Sequence, residues 1–314
     1  MIDTIFVEHE IYKSAQAQAI ILRYKNARIH IIECYTEIFN QKKQSFRAQK
    51  NNPKLILAKK KGRLIQKVPA LFNLHRPNNY YFSHLLNCPF DCQYCYLQAQ
   101  FQSAHYVYFV NTNDFFKSIA HVIQKHPKAG TTIFTGYDCD SLALNGITNF
   151  YENYYPLFKQ EADTEFEIRT KSQNIQPLLD HQPLKNVIIA YSLNPQKVIQ
   201  SIEKKTASLD KRLAALEQLE RLGYSIAIRL DPIIDYNTAE QDYSELINTI
   251  FSRLKTIHSI TLGPYRLANN AQKIMRKKSP QNKLIMCEQK PEILNFVKTR
   301  LLEHMDTENL FLCY

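Results

Sequence analysis

The sequence predicts an α/β protein built on a parallel sheet. Two observations carry this. Short β-rich runs alternate with helix-length segments over most of the chain, and the 314 residues are 45% hydrophobic, enough for a large core and a smaller one. In order, Ile5–Glu8 reads as a short apolar strand, Ser14–Lys25 as a helix and Ile29–Glu33 as a second strand, a small N-terminal β-α-β unit. A basic, Asn- and Lys-rich stretch through about Pro69 reads as a loop or linker. Beyond Tyr80 six strands are expected, at Tyr81–Leu85, Thr131–Phe134, Glu165–Arg169, Val187–Tyr191, Ser225–Leu230 and Ser259–Leu262, each followed by a helix-length segment. The best-marked helix follows Ser208, with Leu209, Leu213, Leu216, Leu219 and Leu222 on one stripe and Gly223 as its stop. Domains are placed at 1–70, 71–287 and 288–314, the last a helical segment.

Composition narrows the function. No apolar run approaches the roughly 20 residues of a membrane span. Seven cysteines are too few and too odd in number for a disulfide framework, and the opening MIDTIFVEHE is acidic where a secretory signal would be basic then apolar, so a cytoplasmic location is expected. No Gly-x4-Gly-Lys-Ser/Thr loop is present, and the ten histidines show no metal or nucleophile spacing. The net charge is +11, and from Ile38 to Phe90 there is no Asp or Glu while Lys42, Lys43, Arg47, Lys50 and the Lys59, Lys60, Lys61 triplet accumulate. Aromatics (Phe46, Phe72, Tyr80, Tyr81, Phe82) are interleaved, and Lys273, Arg276, Lys277 and Lys278 form a second cluster. This pattern attracts polyanions, and nucleic acid is the expected partner.

The chemistry is announced by NCPFDCQYCYLQ. Cys88, Cys92 and Cys95 stand at Cys-x3-Cys-x2-Cys spacing, so three thiolates within eight residues can hold three corners of a cubane iron–sulfur cluster, which normally takes four. The open iron can chelate the amino and carboxylate groups of S-adenosylmethionine and drive release of a 5′-deoxyadenosyl radical. A structural zinc site would usually be completed by a second Cys or His pair, and none is found. Cys34, Cys287 and Cys313 carry no motif and read as packing residues. Polar groups also follow the other expected strands: Gly136–Asp140, Lys171, Ser192, Asp231, and Tyr265 with Arg266. In β/α barrels the C-terminal strand ends form the active-site mouth.

Together the cysteine loop with its Tyr-Leu-Gln, the Asp140-Ser141-Leu142-Ala143-Leu144 run, Lys204 with Asp210-Lys211-Arg212, Gly223-Tyr224 and Asp231-Pro232-Ile233 resemble spore photoproduct lyase and its relatives, members of the radical SAM superfamily. The resemblance covers most of the chain, including the N-terminal unit and basic linker. It implies a partial (β/α)6 TIM-like barrel holding a 4Fe-4S cluster and S-adenosylmethionine, and direct reversal of a thymine photolesion in DNA. It further implies an electron donor such as a flavodoxin or ferredoxin, and a monomer.

By position, Tyr94 and Tyr96 flank the cluster and the cofactor, with tyrosine as hydrogen relay. Lys171 and Ser192 match positions for the cofactor's carboxylate and ribose, Asp138 lies in the cofactor-binding loop, and Tyr265 and Arg266 match a lesion-contacting hairpin. Two departures stand out. The family's hydrogen-donating cysteine aligns with Tyr137, and Cys139 comes two residues later at a cofactor-contacting position, either as a displaced donor or as a small buried cysteine. Leu267 stands where the hairpin tends to carry an aromatic residue.

Overall fold

A computed structural model describes residues 2–69, 76–126, 130–278 and 291–313. Phe72, Cys287 and the expected domain boundaries at 70/71 and 287/288 lie outside the described residues.

The N-terminal β-α-β unit forms as expected, with β1 (Thr4–Glu8), a helix Ala15–Arg23 capped by the Ser14 hydroxyl, and β2 (Arg28–Ile32) parallel to β1. The expected linker is a correction: it holds a helix, Phe46–Asn51, and a strand β3 (Leu55–Ala58) whose four residues are all buried. Four apolar residues between lysines are enough for a strand when both faces are covered. The next strands are β4 (Ile65–Lys67), β5 (Asn78–Phe82), β6 (Leu85–Leu86), β7 (Asp91–Cys92) within the cysteine loop, and β8 (Tyr106–Phe109). The single strand expected at Tyr81–Leu85 is therefore two. Asn78–Tyr81 pair in parallel with Thr131–Phe134, while Leu85 and Leu86 leave at Ser83-His84 to pair antiparallel with β8.

The remaining strands are β9 (Thr131–Phe134), β10 (Glu165–Thr170), β11 (Val187–Ser192), β12 (Glu203–Lys204), β13 (Ser225–Ile233), β14 (Ser259–Pro264) and β15 (Leu310–Leu312). One sheet has the order β2-β1-β3-β8-β6 and so is shared between the N-terminal unit and the strands on either side of the cysteine loop. The main sheet, β15-β14-β13-β11-β10-β9-β5-β4, curls into a partial barrel, parallel throughout except for β4. The six expected barrel strands are its consecutive members β5, β9, β10, β11, β13 and β14. The C-terminal segment is only partly helical: after the helix Pro291–Leu302 the chain adds β15 alongside β14.

The barrel strands are apolar towards the helices, and towards the axis they mix an apolar patch, Ile188, Ala190 and Ala227, with buried charge. Arg229 and Glu167 are 0% and 1% exposed and form an ion pair of 2.6 Å, joined by Arg169 at 3.1 Å and by Ser259. Burial alone would raise the Glu167 carboxyl, but the two guanidiniums hold it down at about 2. The ion pair fills the base of the barrel and leaves the C-terminal strand ends open. The helix Leu209–Arg221 buries Leu213, Leu216 and Leu219 as expected, whereas Leu222 is 47% exposed, because the chain turns at Gly223 (φ 91°). Arg212 on the same helix is fully buried, which its neighbours in sequence do not announce.

Candidate functional site

The cysteine loop is held from three sides. Asn87 opens it in a left-handed conformation and donates to the Ser103 and His105 carbonyls. From the helix Phe46–Asn51, Arg47 binds both Asp91 oxygens at 2.7 and 2.9 Å, and Lys50 Nζ donates to the Cys88 carbonyl at 2.6 Å. From below, β7 pairs antiparallel with β12, placing Cys92 opposite Glu203. Lys278 ties the loop's exit through the Gln98 and Phe101 carbonyls.

Glu203 is the hub beneath the loop. It is buried, pairs with buried Arg212 at 2.5 Å, and accepts from Asn194 and from the Tyr94 hydroxyl. Burial would raise its carboxyl, but Arg212 and Lys171 hold it below the usual carboxylate range. Tyr94 thus turns its hydroxyl into this network, while its ring carries the Lys171 ammonium at 5.7 Å.

Cys88, Cys92 and Cys95 are free thiols lining one cavity of about 660 Å³, within the ~300–1,000 Å³ usual for ligand sites. Burial pushes all three thiols up, Cys88 to about 12, so they hold their protons until a metal displaces them. Among the described residues no three His, Cys, Asp or Glu side chains close round a single point. A cubane bonds its thiolates to three different irons, so this all-sulfur set fits a cluster better than a mononuclear ion.

The same cavity brings together nearly every residue the sequence singled out: Tyr94, Tyr96, Asp138, Cys139, Lys171, Ser192, Tyr265 and Arg266 all line it. Asp138 follows Gly136, whose φ of 84° and Cβ position, 2.9 Å from Ser141 Oγ and 3.0 Å from the Arg169 carbonyl, admit only glycine at this turn. The Asp138 carboxylate accepts from Ser83 at 2.5 Å and from Gln100 at 2.9 Å. Asp140 caps the loop by accepting from the backbone of Lys171, Leu142 and Ala143 and from Thr170. Tyr96 donates its hydroxyl to the Tyr137 carbonyl, and the Tyr137 ring stacks on Tyr81 at 4.4 Å. Cys139 packs among the aliphatic side chains of the N-terminal sheet, with Cys88 and Asp140 as neighbours.

Past β14, Tyr265 and Arg266 sit at the mouth. The described chain then enters a helix, Asn269–Lys278. Leu267 packs with Ala99 and Met275 beneath that helix. Arg266 donates to the Cys313 carbonyl at 3.0 Å. Two hydroxyls in the cavity wall, Thr261 Oγ1 and Tyr265 Oη, are buried without a partner among the described residues. Sequence reasoning missed Lys50, Glu203, Thr261 and Cys313. Of these only Cys313 left a signal, standing one residue past an apolar strand and on the same face as its inward residues.

The basic stretch proves partly self-neutralised. Lys54 pairs with Asp3, Lys59 and Lys61 share Glu10, and Arg76 pairs with Glu165. Among the described residues no helix is long and apolar enough to cross a membrane.

Comparison with known proteins agrees with this geometry. The family model described as spore photoproduct lyase matches residues 1–296. Spore photoproduct lyase of Bacillus subtilis (strain 168) is 26% identical over 229 residues, covering 70% of this chain and 66% of that protein. The chain aligns with about three fifths to two thirds of the length of the curated relatives it matches. Among solved structures, spore photoproduct lyase complexed with dinucleoside spore photoproduct superposes with a TM-score of 0.85 at 16% identity, covering 100% of this chain and 98% of that one. A variant with bound AdoMet and dinucleoside spore photoproduct gives 0.83 at 17%, with the same coverage. A full-length fold match, a family model spanning nearly the whole chain and a cysteine loop set in the mouth of a partial barrel agree: this chain belongs to the spore photoproduct lyase family.

Proposed function

We propose that this chain is a radical SAM lyase that reverses a thymine photolesion in DNA directly. The observation that carries the reading is the convergence of the three motif cysteines, Asp138, Lys171, Ser192 and Arg266 on one cavity at the open end of the barrel. When bound there, a 4Fe-4S cluster and S-adenosylmethionine supply a 5′-deoxyadenosyl radical able to abstract hydrogen from carbon. Cys88, Cys92 and Cys95 hold the cluster, and Lys50, through its bond to the Cys88 carbonyl, fixes the loop. Lys171 offers its ammonium to a carboxylate, and Ser192 and Asp138 offer hydrogen-bonding groups to a ribose. Tyr94, anchored by Glu203, orients the loop, so of the two flanking tyrosines Tyr96 is the better placed as relay. Cys139 lies on the cluster side of the cavity. Tyr265 and Arg266 meet the lesion and its phosphate at the mouth.

The partners follow from the same chemistry. The exposed basic residues guide DNA, and a small one-electron carrier such as a flavodoxin or ferredoxin feeds the cluster of a cytoplasmic monomer. The relatives solved with AdoMet and with dinucleoside spore photoproduct support this choice of cofactor and substrate. The test is anaerobic reconstitution followed by S-adenosylmethionine, dithionite and lesion-bearing DNA. About four irons per chain, 5′-deoxyadenosine and restored thymine are expected. Tight binding of one zinc without cofactor cleavage would sink the reading, and Cys95→Ala should lose both iron and cleavage.

A further inference from the structure

Fragmentation of a lesion leaves a carbon radical that must gain a hydrogen atom, and a thiol is the protein group best suited to give one quickly. Among the described residues, the cavity wall outside the cluster motif holds two thiols, Cys139 and Cys313. They face different company. Cys139 is packed against the aliphatic core of the N-terminal sheet, beside Cys88. Cys313 stands just past β15, where Leu310 and Leu312 pack outward on the core, so strand alternation turns Phe311 and Cys313 to the barrel axis.

The position of Cys313 is fixed. Its N–H donates to the Leu262 carbonyl at 2.7 Å, and its carbonyl accepts from Arg266. Gly263 makes room for this: a Cβ there would stand 2.6 Å from Asp231 Oδ1 and 3.3 Å from the Cys313 carbonyl. The charged neighbours of the thiol are Asp231, Arg169, Arg229 and Arg266, and Tyr137 is close enough to feel its charge. A second observation marks this wall as a contact surface. Thr261, 1% exposed and opposite Phe311 in the β14–β15 register, lines the cavity with its hydroxyl unpartnered among the described residues. A buried hydroxyl left without a partner in a cavity wall is suited to a polar ligand.

We propose that Cys313 is the hydrogen-atom donor that quenches the product radical in this chain. The proposal rests on the lesion-repair reading above. The S–H bond breaks as the C–H bond of the restored thymine methyl forms, and the unpaired electron moves to sulfur. The thiyl then takes a hydrogen atom back from the methyl group of the 5′-deoxyadenosine made in the first abstraction, which restores the Cys313 thiol. One hydrogen is thus passed out and back, and no external oxidant or reductant is consumed.

The test compares the full chain with its Cys313→Ser and Cys139→Ser variants, reconstituted anaerobically and given S-adenosylmethionine and dinucleoside spore photoproduct. Cys313→Ser should bind the dinucleotide within about twofold of wild type and still cleave the cofactor, but clean thymine should fall at least tenfold in favour of trapped adducts. Cys139→Ser should change rate without changing product identity. A readout without turnover accompanies this: in the metal-free protein the dinucleotide should slow iodoacetamide modification of Cys313 severalfold, read by peptide mass spectrometry, and leave Cys139 unaffected. Clean thymine from Cys313→Ser at the wild-type rate, adducts only from Cys139→Ser, or no protection of Cys313 would overturn the assignment. Wild type that cleaves the cofactor yet leaves the lesion intact would instead defeat the lesion reading, and the donor role with it.

Discussion

Replacing Glu203 by Ala should unseat the cysteine loop from below, and the structure sets the size of the effect. Arg212 is 0% exposed and, besides the 2.5 Å contact to Glu203, donates to the Ala207 and Ser192 carbonyls and to Thr206. Removing the carboxylate leaves a guanidinium buried without a counter-charge, a loss of roughly 3–5 kcal/mol. The Tyr94 hydroxyl and the Asn194 amide lose their acceptor as well, each about 1–3 kcal/mol where no water enters. The three surviving Arg212 bonds offset part of this, so a net loss of about 3–5 kcal/mol is expected. Urea unfolding of the metal-free protein measures it. Because β12 pairs with β7, iron content after reconstitution should fall in parallel. Adding Arg212→Met should recover most of the stability, since an apolar pair leaves no stranded charge. The Glu203 carboxyl is held low in the folded state, so its contribution is present above the unfolded glutamate value and is lost as pH falls through the folded one. A loss under about 1 kcal/mol, or no recovery in the double variant, would refute the argument.

Three further outcomes follow. Reversing Lys59, Lys60 and Lys61 to Glu should flatten the salt dependence of duplex binding by about two units and not three, because two of these lysines already share Glu10; equilibrium binding from 50 to 200 mM salt reads this. His84 is buried with both ring nitrogens unpartnered among the described residues, stacked 4.0 Å from Phe150, and burial lowers it to about 3. The unfolded chain therefore binds its proton first, stability falls as pH drops from about 6.5 towards 3, and His84→Phe should remove part of that slope in urea titrations at pH 7 and pH 5. Gly263→Ala must push Asp231 aside and should cost about 1–3 kcal/mol in thermal or urea unfolding.

What the sequence disclosed was whatever a local pattern can carry. The apolar runs at Thr131–Phe134, Val187–Ser192 and Ser259–Leu262 are buried on both faces, so composition alone marks them, and the Cys88, Cys92 and Cys95 spacing is a property of one loop. The Leu55–Ala58 strand is hidden because both its partners are distant, Tyr106–Phe109 lying 51 residues on and Thr4–Glu8 far back, and pairings at that range leave no trace between lysines. Arg212 reads as a surface residue of a charged helix until Glu203 is brought beneath it. Cys313 belongs to the cavity only because β15 joins the barrel beside β14, a choice made by the helix Pro291–Leu302 packing on the sheet.

The grip of Arg47 and Lys50 on the cysteine loop ties the metal state of the protein to the folding of its first sixty residues. Whatever tightens the loop also tightens the helix Phe46–Asn51, and with it β3, which holds β1 and β8 together. By mass action, loading the cluster should slow amide exchange at Leu55–Ala58 and protect the backbone at Arg47 from trypsin, although neither touches a metal ligand side chain. Oxidative damage to the cluster would then be read out far from the barrel, as a loosened N-terminal sheet that proteases meet first.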